Sequence, residues 1–195
     1  MKETRDYILK KTLELFLQKS YKEVTMKEIV DRTGLSKGAF YHYFESKDAV
    51  FVEVVKYFYS DIMITDYSGF PHSSLKDFYN AYITKLQVSS NAEDEARDET
   101  NLFVFISEAS RKIPNFSEIH INQRKIEVDS WSDAVKRAKL SNEIRSDLSD
   151  QDIAKMFIYL SDGVSLTAIT SKPNEETLLE LRKSWDNLYR LLTRF

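Results

Sequence analysis

The chain has 195 residues, enough for one large domain or two small ones. It holds 42% hydrophobic and 30% charged residues, with 4 Gly, 3 Pro and no Cys, which excludes disulfides, thiolate metal sites and cysteine nucleophiles and speaks against a β sandwich or barrel. Net charge is −3, but residues 1–60 carry 11 Lys and Arg against 9 Asp and Glu, so the N-terminal part is slightly positive and the remainder acidic. The opening MKETRDYILKK lacks a signal-peptide core, and no apolar run approaches the roughly 20 residues of a membrane span. The expected location is cytoplasmic.

Residues 3–19 predict a first helix, with Ile8, Leu9, Leu13, Leu15 and Phe16 on a wide apolar stripe. Met26, Ile29 and Val30 then give the i, i+3, i+4 face of a second helix. Thr25 and Glu28 have the spacing of a capping box, and Gly34 sits where that helix must stop with φ above zero. Ser36 is a second N-cap, opening a short helix over residues 37–43 with Ala39, Phe40 and Phe44 on its buried side. Two short helices joined through a Gly-containing turn form a helix-turn-helix, whose second helix enters the DNA major groove. Gly38 in the first turn costs about 1 kcal/mol of helix propensity relative to Ala, a broken local rule that suits close approach of a partner. Ser46 caps a fourth helix. Lys47, in its first turn, opposes the helix dipole, and a nearby phosphate would account for it.

The string T-x-x-E-I-V-x-x-T-G-L-S-K-G-A-F-Y-H-Y-F-E-S-K-D over residues 25–48 resembles the N-terminal DNA-binding domain of the TetR family of transcriptional regulators. The resemblance covers about residues 5–55. It implies a ligand-responsive, homodimeric regulator, most often a repressor, and a Lys at position 47 that contacts backbone phosphate. One departure is Lys19-Ser20-Tyr21, where the family has Gly after the first helix. The expected DNA-binding set is Thr25, Ser36, Lys37, Gly38, Tyr41, His42 and Lys47. Lys37 and His42 can reach base edges, and Thr25, Tyr41 and Lys47 can grip phosphates.

Beyond the motif the fourth helix runs on through residues 49–59, apolar nearly all round. Residues 65–74 (TDYSGFPHSS) read as a linker, and Ser74 opens a helix carrying Phe78, Tyr79, Tyr82 and Ile83. Residues 89–100 are polar and predict a mobile turn and a helix start. Helices are expected at 102–112 and 116–140, the latter with Ile119, Ile126, Trp131, Ala134, Val135 and Ala138 inside. A short extended connection follows over 140–148. Ser149 and Asp152 then open a helix as a capping box, and Asn174 caps the last one after Pro173. In these two helices Phe157, Leu160, Val164, Leu181, Trp185, Leu188 and Leu192 recur at spacings of 3 and 4, the seam of helices packed near 20°. One stripe per helix belongs to an intramolecular core. Leu179, Tyr189 and Leu191 lie off the seam, Gly163 permits close approach, and the family resemblance implies a dimer interface here.

The fold class expected is therefore all-α, with about nine helices: a three-helix DNA-binding domain at 1–48 and a helical ligand-binding and dimerisation domain at 49–195. His42, His72 and His120 stand in separate segments, and no HExxH or GxSxG occurs, so no catalytic set, metal site or cofactor is expected. The many aromatics allow an apolar pocket, which the resemblance implies for an unknown small-molecule effector. Tyr82, Phe103, His120, Arg124, Trp131 and Tyr159 are its candidate walls. The expected partners are double-stranded DNA with a near-palindromic operator and a second copy of the chain. Two rivals are a helix-turn-helix that docks another protein, and a helical apolar-ligand binder without DNA activity.

Overall fold

The computed structural model of the chain describes residues 2–63, 65–91, 100–171 and 175–193. Among them are nine α-helices and no strand: α1 (Lys2–Gln18), α2 (Met26–Thr33), α3 (Lys37–Tyr41), α4 (Lys47–Tyr57), α5 (Leu75–Asn91), α6 (Thr100–Lys112), α7 (Phe116–Leu140), α8 (Asp150–Ser171) and α9 (Glu175–Thr193). Among the described residues no helix is long and apolar enough to cross a membrane. The expectation of a mobile turn over 89–100 falls largely outside the described residues, as do Pro173 and the cap at Asn174.

The chain forms two compact units, residues 1–64 with 94–123 and residues 65–93 with 124–195. In the first, α1 packs on α2, α4 and α6. Its core joins Ile8, Leu9, Phe16, Ile29, Phe40, Phe51, Val54, Phe58 and Phe105. The expected boundary between residues 48 and 49 falls inside this unit, because α4 buries Val50, Phe51, Val54 and Val55 in the same core as α1 and α3. α4 ends in one π-helical turn, Phe58–Ile62, closed by the Met63 N–H on the Phe58 carbonyl at 2.8 Å. The wider turn buries both Phe58 and Tyr59.

In the second unit α9 packs on α5 and α8. Its core is aromatic: Trp131 lies 5.1 Å from Trp185 and 5.4 Å from Phe157, centroid to centroid. The segment expected to be a simple linker takes part, since Tyr67 stacks on Phe78 at 5.7 Å and Phe70 meets Phe78 at 5.3 Å. Ile126, expected inside α7, is exposed, because α7 turns Val128, Trp131, Ala134, Val135 and Ala138 inward instead. The connection after α7 is closed by Asn142, at φ 59°, with the Glu143 N–H on the Ala138 carbonyl at 2.9 Å. Asn tolerates this left-handed conformation. Glu143 then caps α5, accepting from the Leu75 and Lys76 amides at 2.9 and 3.2 Å.

Candidate nucleic-acid interface

The caps of the helix-turn-helix form as their spacing predicts. Thr25 Oγ1 accepts from the Glu28 amide at 3.2 Å, while Glu28 Oε2 accepts from the Thr25 amide at 2.9 Å. The Lys19 ammonium at 2.6 Å, then the Thr25 amide and hydroxyl, hold the Glu28 carboxyl down to about 2. Gly34 takes φ 68° after α2, and Ser36 Oγ accepts from the Ala39 amide at 3.2 Å to start α3.

α3 is shorter than the expected 37–43, ending at Tyr41. The His42 N–H reaches Gly38 O at 3.2 Å and the Tyr43 N–H turns in to Phe40 O at 2.9 Å. Phe40 is the one residue α3 buries, and Ala39, expected inside, is exposed. Lys37, Gly38, Ala39 and Tyr41 are all exposed on this one short element, as are its flanking caps Ser36 and His42. Tyr41 is 40% exposed although it is a large aromatic, with the Lys37 ammonium 5.8 Å from its ring centroid. A Cβ added at Gly38 would meet nothing within 4 Å, so no packing inside the chain requires glycine there.

Two positions differ from expectation. The Lys47 ammonium donates to the Tyr21 and Val24 carbonyls at 2.8 and 2.7 Å and lies 4.2 Å from the Tyr21 ring centroid. Two carbonyls and an aromatic face account for a cation in that first turn, so the helix-dipole argument no longer calls for a phosphate. At the Gly-to-Ser departure, Ser20 takes no positive φ; among the described residues Asn142 is the only non-Gly residue that does. Instead Ser20 caps its own turn: its N–H and Oγ donate to Glu23 at 2.9 and 2.7 Å, and its carbonyl accepts from Glu23 and Val24. The groove beside α3, of 640 Å³, is lined by Arg5, Tyr41, His42, Tyr43, Phe44, Glu45, Ala49, Val52 and Glu53.

The candidate pocket walls do not share one role. In the first unit Phe103 is 56% exposed, and His120 is exposed, stacked on Phe116, with Nδ1 3.5 Å from the Tyr59 hydroxyl. In the second unit Trp131 is 1% exposed, its indole N–H donating to Tyr67 Oη at 3.3 Å, so it is core rather than pocket wall. Tyr82 is packed against Trp131 and Trp185 at 5.8 and 5.6 Å. Burial pushes its phenol up, Glu127 and Asp162 add to this, and Arg124 opposes it. Arg124 bridges Glu127 and Asp162, each at 2.9 Å. Burial raises the Glu127 carboxyl, against the pull of Arg124. Tyr159 is 58% exposed. Sequence reading missed Glu127 and Tyr67. The i, i+3 spacing of Arg124 and Glu127 was the available signal for the first.

The expected dimer seam is mostly internal. Phe157, Leu181, Trp185, Leu188 and Leu192 are buried in the second unit's own core, with Val164 packed against it. The Trp185 indole N–H donates to the Phe157 carbonyl at 2.8 Å. Of the seven, only Leu160 is exposed, because the 3-4 repeat marks the face that α8 and α9 turn toward each other and α5. The opposite face of α8 presents Met156, Tyr159, Leu160 and Gly163 at helical spacing. Leu179 and Leu191 are exposed on α9, whereas Tyr189 is half-buried and donates to Glu143 at 2.9 Å.

Residues 8–54 match the family of bacterial regulatory proteins, tetR family. The helix-turn-helix segment is thus that of the tetR family. It is 42% identical over 59 residues to the Bacillus subtilis HTH-type transcriptional regulator YuxN, a stretch covering 30% of this chain and 20% of YuxN. It is 25% identical over 166 residues to the HTH-type transcriptional repressor KstR2 of Mycolicibacterium smegmatis, covering 83% of this chain and 77% of the repressor. The crystal structure of reduced NemR from E. coli superposes with a TM-score of 0.74 at 20% identity, covering 95% and 97% of the two chains. That likeness shows that the chain shares the fold of NemR. The chain spans about a fifth of the length of the first two curated relatives it matches.

Proposed function

We propose that this chain is a homodimeric, effector-responsive regulator of transcription that binds a near-palindromic operator and acts as a repressor. The observation that supports it most is α3 itself. A five-residue helix buries only Phe40 and exposes Lys37, Gly38 and Tyr41 together with the His42 that follows it, inside the tetR-family segment. A core helix would bury its aromatics, and a solvated one has no need of an exposed Tyr beside a Lys.

In this reading α3 of each subunit enters a major groove. Lys37 donates to guanine O6 and N7 or to phosphate, and His42 to a base edge. Thr25, Ser36 and Tyr41 set register on the backbone. Lys47 secures the head chiefly through the carbonyls it caps. Residues 1–48 carry the DNA contacts and the remainder carries effector response and pairing. The pairing surface is the outer face of α8 with Leu179 and Leu191 of α9, and the effector reading keeps Arg124, Tyr82 and Tyr159 as its polar and aromatic candidates. Such a dimer places two α3 helices a whole number of DNA turns apart, which demands a palindromic site.

A mobility-shift titration with the DNA upstream of the chain's own gene tests this. Lys37→Ala and Tyr41→Ala should each weaken binding by roughly tenfold or more, on the scale of 1–3 kcal/mol per base or phosphate contact. Unchanged affinity and salt dependence in both variants would overturn the DNA reading.

A further inference from the structure

Tyr21 sits in the turn between α1 and α2, four residues before the Thr25 cap, and residues from outside that turn take up each of its polar groups. Its N–H donates to Glu108 Oε2 of α6 at 2.7 Å. Its carbonyl accepts from Lys47 of α4 at 2.8 Å. Its hydroxyl donates to Asp48 of α4 at 2.6 Å. The ring packs 4.9 Å from Phe51 and 5.9 Å from Phe16, with the Lys47 and Lys112 ammonium groups 4.2 and 3.8 Å from its centroid. Lys112, from the last turn of α6, also pairs with Asp48 at 3.3 Å. Burial pushes the phenol up and its bond to Tyr21 holds the Asp48 carboxyl down, so donor and acceptor keep these roles through the neutral range.

α6 starts well beyond the helix-turn-helix, and Glu108 lies 87 residues from Tyr21 along the chain. Hydrophobic contact alone would hold α1 against α6. It would not need two opposite charges at i and i+4 of α6, one on the backbone N–H of the turn and the other at its ring and at Asp48. Charge-assisted bonds of this kind fix direction as well as proximity. The same turn carries the two carbonyls that hold Lys47, and it leads directly into α2.

We propose that α6 is a positioning element of the DNA-binding head: Glu108 and Lys112 fix Tyr21, and the Tyr21–Val24 turn with Lys47 then sets the α2–α3 pair against α4. The proposal rests on the DNA-binding reading and adds to it residues that touch no DNA.

The test uses the full chain and a duplex that the wild type selects from a random pool. Variants are Glu108→Gln, which keeps size, Lys112→Met, their double, and Lys112→Arg as the conservative control. The double should bind the selected duplex about tenfold more weakly, with the slope of log affinity against log salt unchanged and Lys112→Arg near wild type. Amide exchange should rise at Glu23 and Val24 in the double, with α5, α8 and α9 as protected as before. Unchanged affinity would overturn the proposal. So would a salt slope reduced by about one, which would make Lys112 a phosphate ligand. Loss of protection spread over all helices would overturn it too, as plain destabilisation. If the wild type selects no duplex, the DNA reading fails by itself. Exchange at Glu23 and Val24 then still decides whether α6 holds the turn: faster exchange upholds that part and unchanged exchange sinks it.

Discussion

At the scale of single residues, caps could be read from the sequence and cations could not. Thr25, Gly34, Ser36 and Ser46 act through their own backbone neighbours, so spacing alone locates them. Lys47 acts through carbonyls 23 and 26 residues away along the chain, which no local pattern announces. Ser20 shows the converse: a missing Gly is replaced by a side chain three residues on, Glu23, that secures the turn another way. The Glu28 box makes a testable case. Its folded carboxyl is depressed to about 2 from an ordinary 4.5, chiefly by Lys19 and then by Thr25. A depressed acid stabilises the fold above its ordinary value, and that contribution fades as pH falls from about 4.5 through 2. NMR titration of the Glu28 carboxyl carbon should give a midpoint far below 4.5. An ordinary midpoint would mean that the box is open in solution.

At the scale of elements, each helix was readable from its apolar period, but the period does not say what the apolar face meets. The 3-4 repeat of α8 and α9 marked a true seam, and that seam is intramolecular. What distinguishes the other face of α8 is apolar residues where a solvated helix would place charge: Met156, Tyr159 and Leu160. The two faces predict opposite outcomes for similar substitutions. Leu181 is 2% exposed, so Leu181→Glu buries an unpaired charge and should cost more than about 3 kcal/mol, unfolding the chain. Leu160 is 37% exposed, so Leu160→Glu should leave circular dichroism and the folded monomer intact while sedimentation shifts from dimer to monomer. A Leu160→Glu variant that still sediments as the wild-type dimer would remove α8's outer face from the interface.

At the scale of the molecule, the all-helical class followed from few Gly and Pro and from the 3.6 periods, and every expected helix is present among the described residues. The unit boundary was less accessible, because it is set by α6 returning to pack on α1, a contact between residues far apart in sequence. The pocket walls were least readable. Trp131 looks the same in a sequence whether it lines a cavity or fills a core, and here Phe78, Tyr82, Phe157 and Trp185 surround it. Gly163 carries one last consequence. It lies within a continuous 22-residue helix, at an exposed point where an added Cβ would meet nothing within 4 Å. Alanine there should raise the intrinsic stability of the separated subunit by about 1 kcal/mol. Yet if two copies of α8 cross at that glycine, the added methyl groups force the backbones apart. Gly163→Ala should then resist urea better at high dilution while its dimer dissociates at higher concentration than the wild type, as denaturation across a dilution series would reveal. A chain made sturdier alone and weaker in company would mark the crossing point; equal gains at every dilution would say that the helices do not meet there.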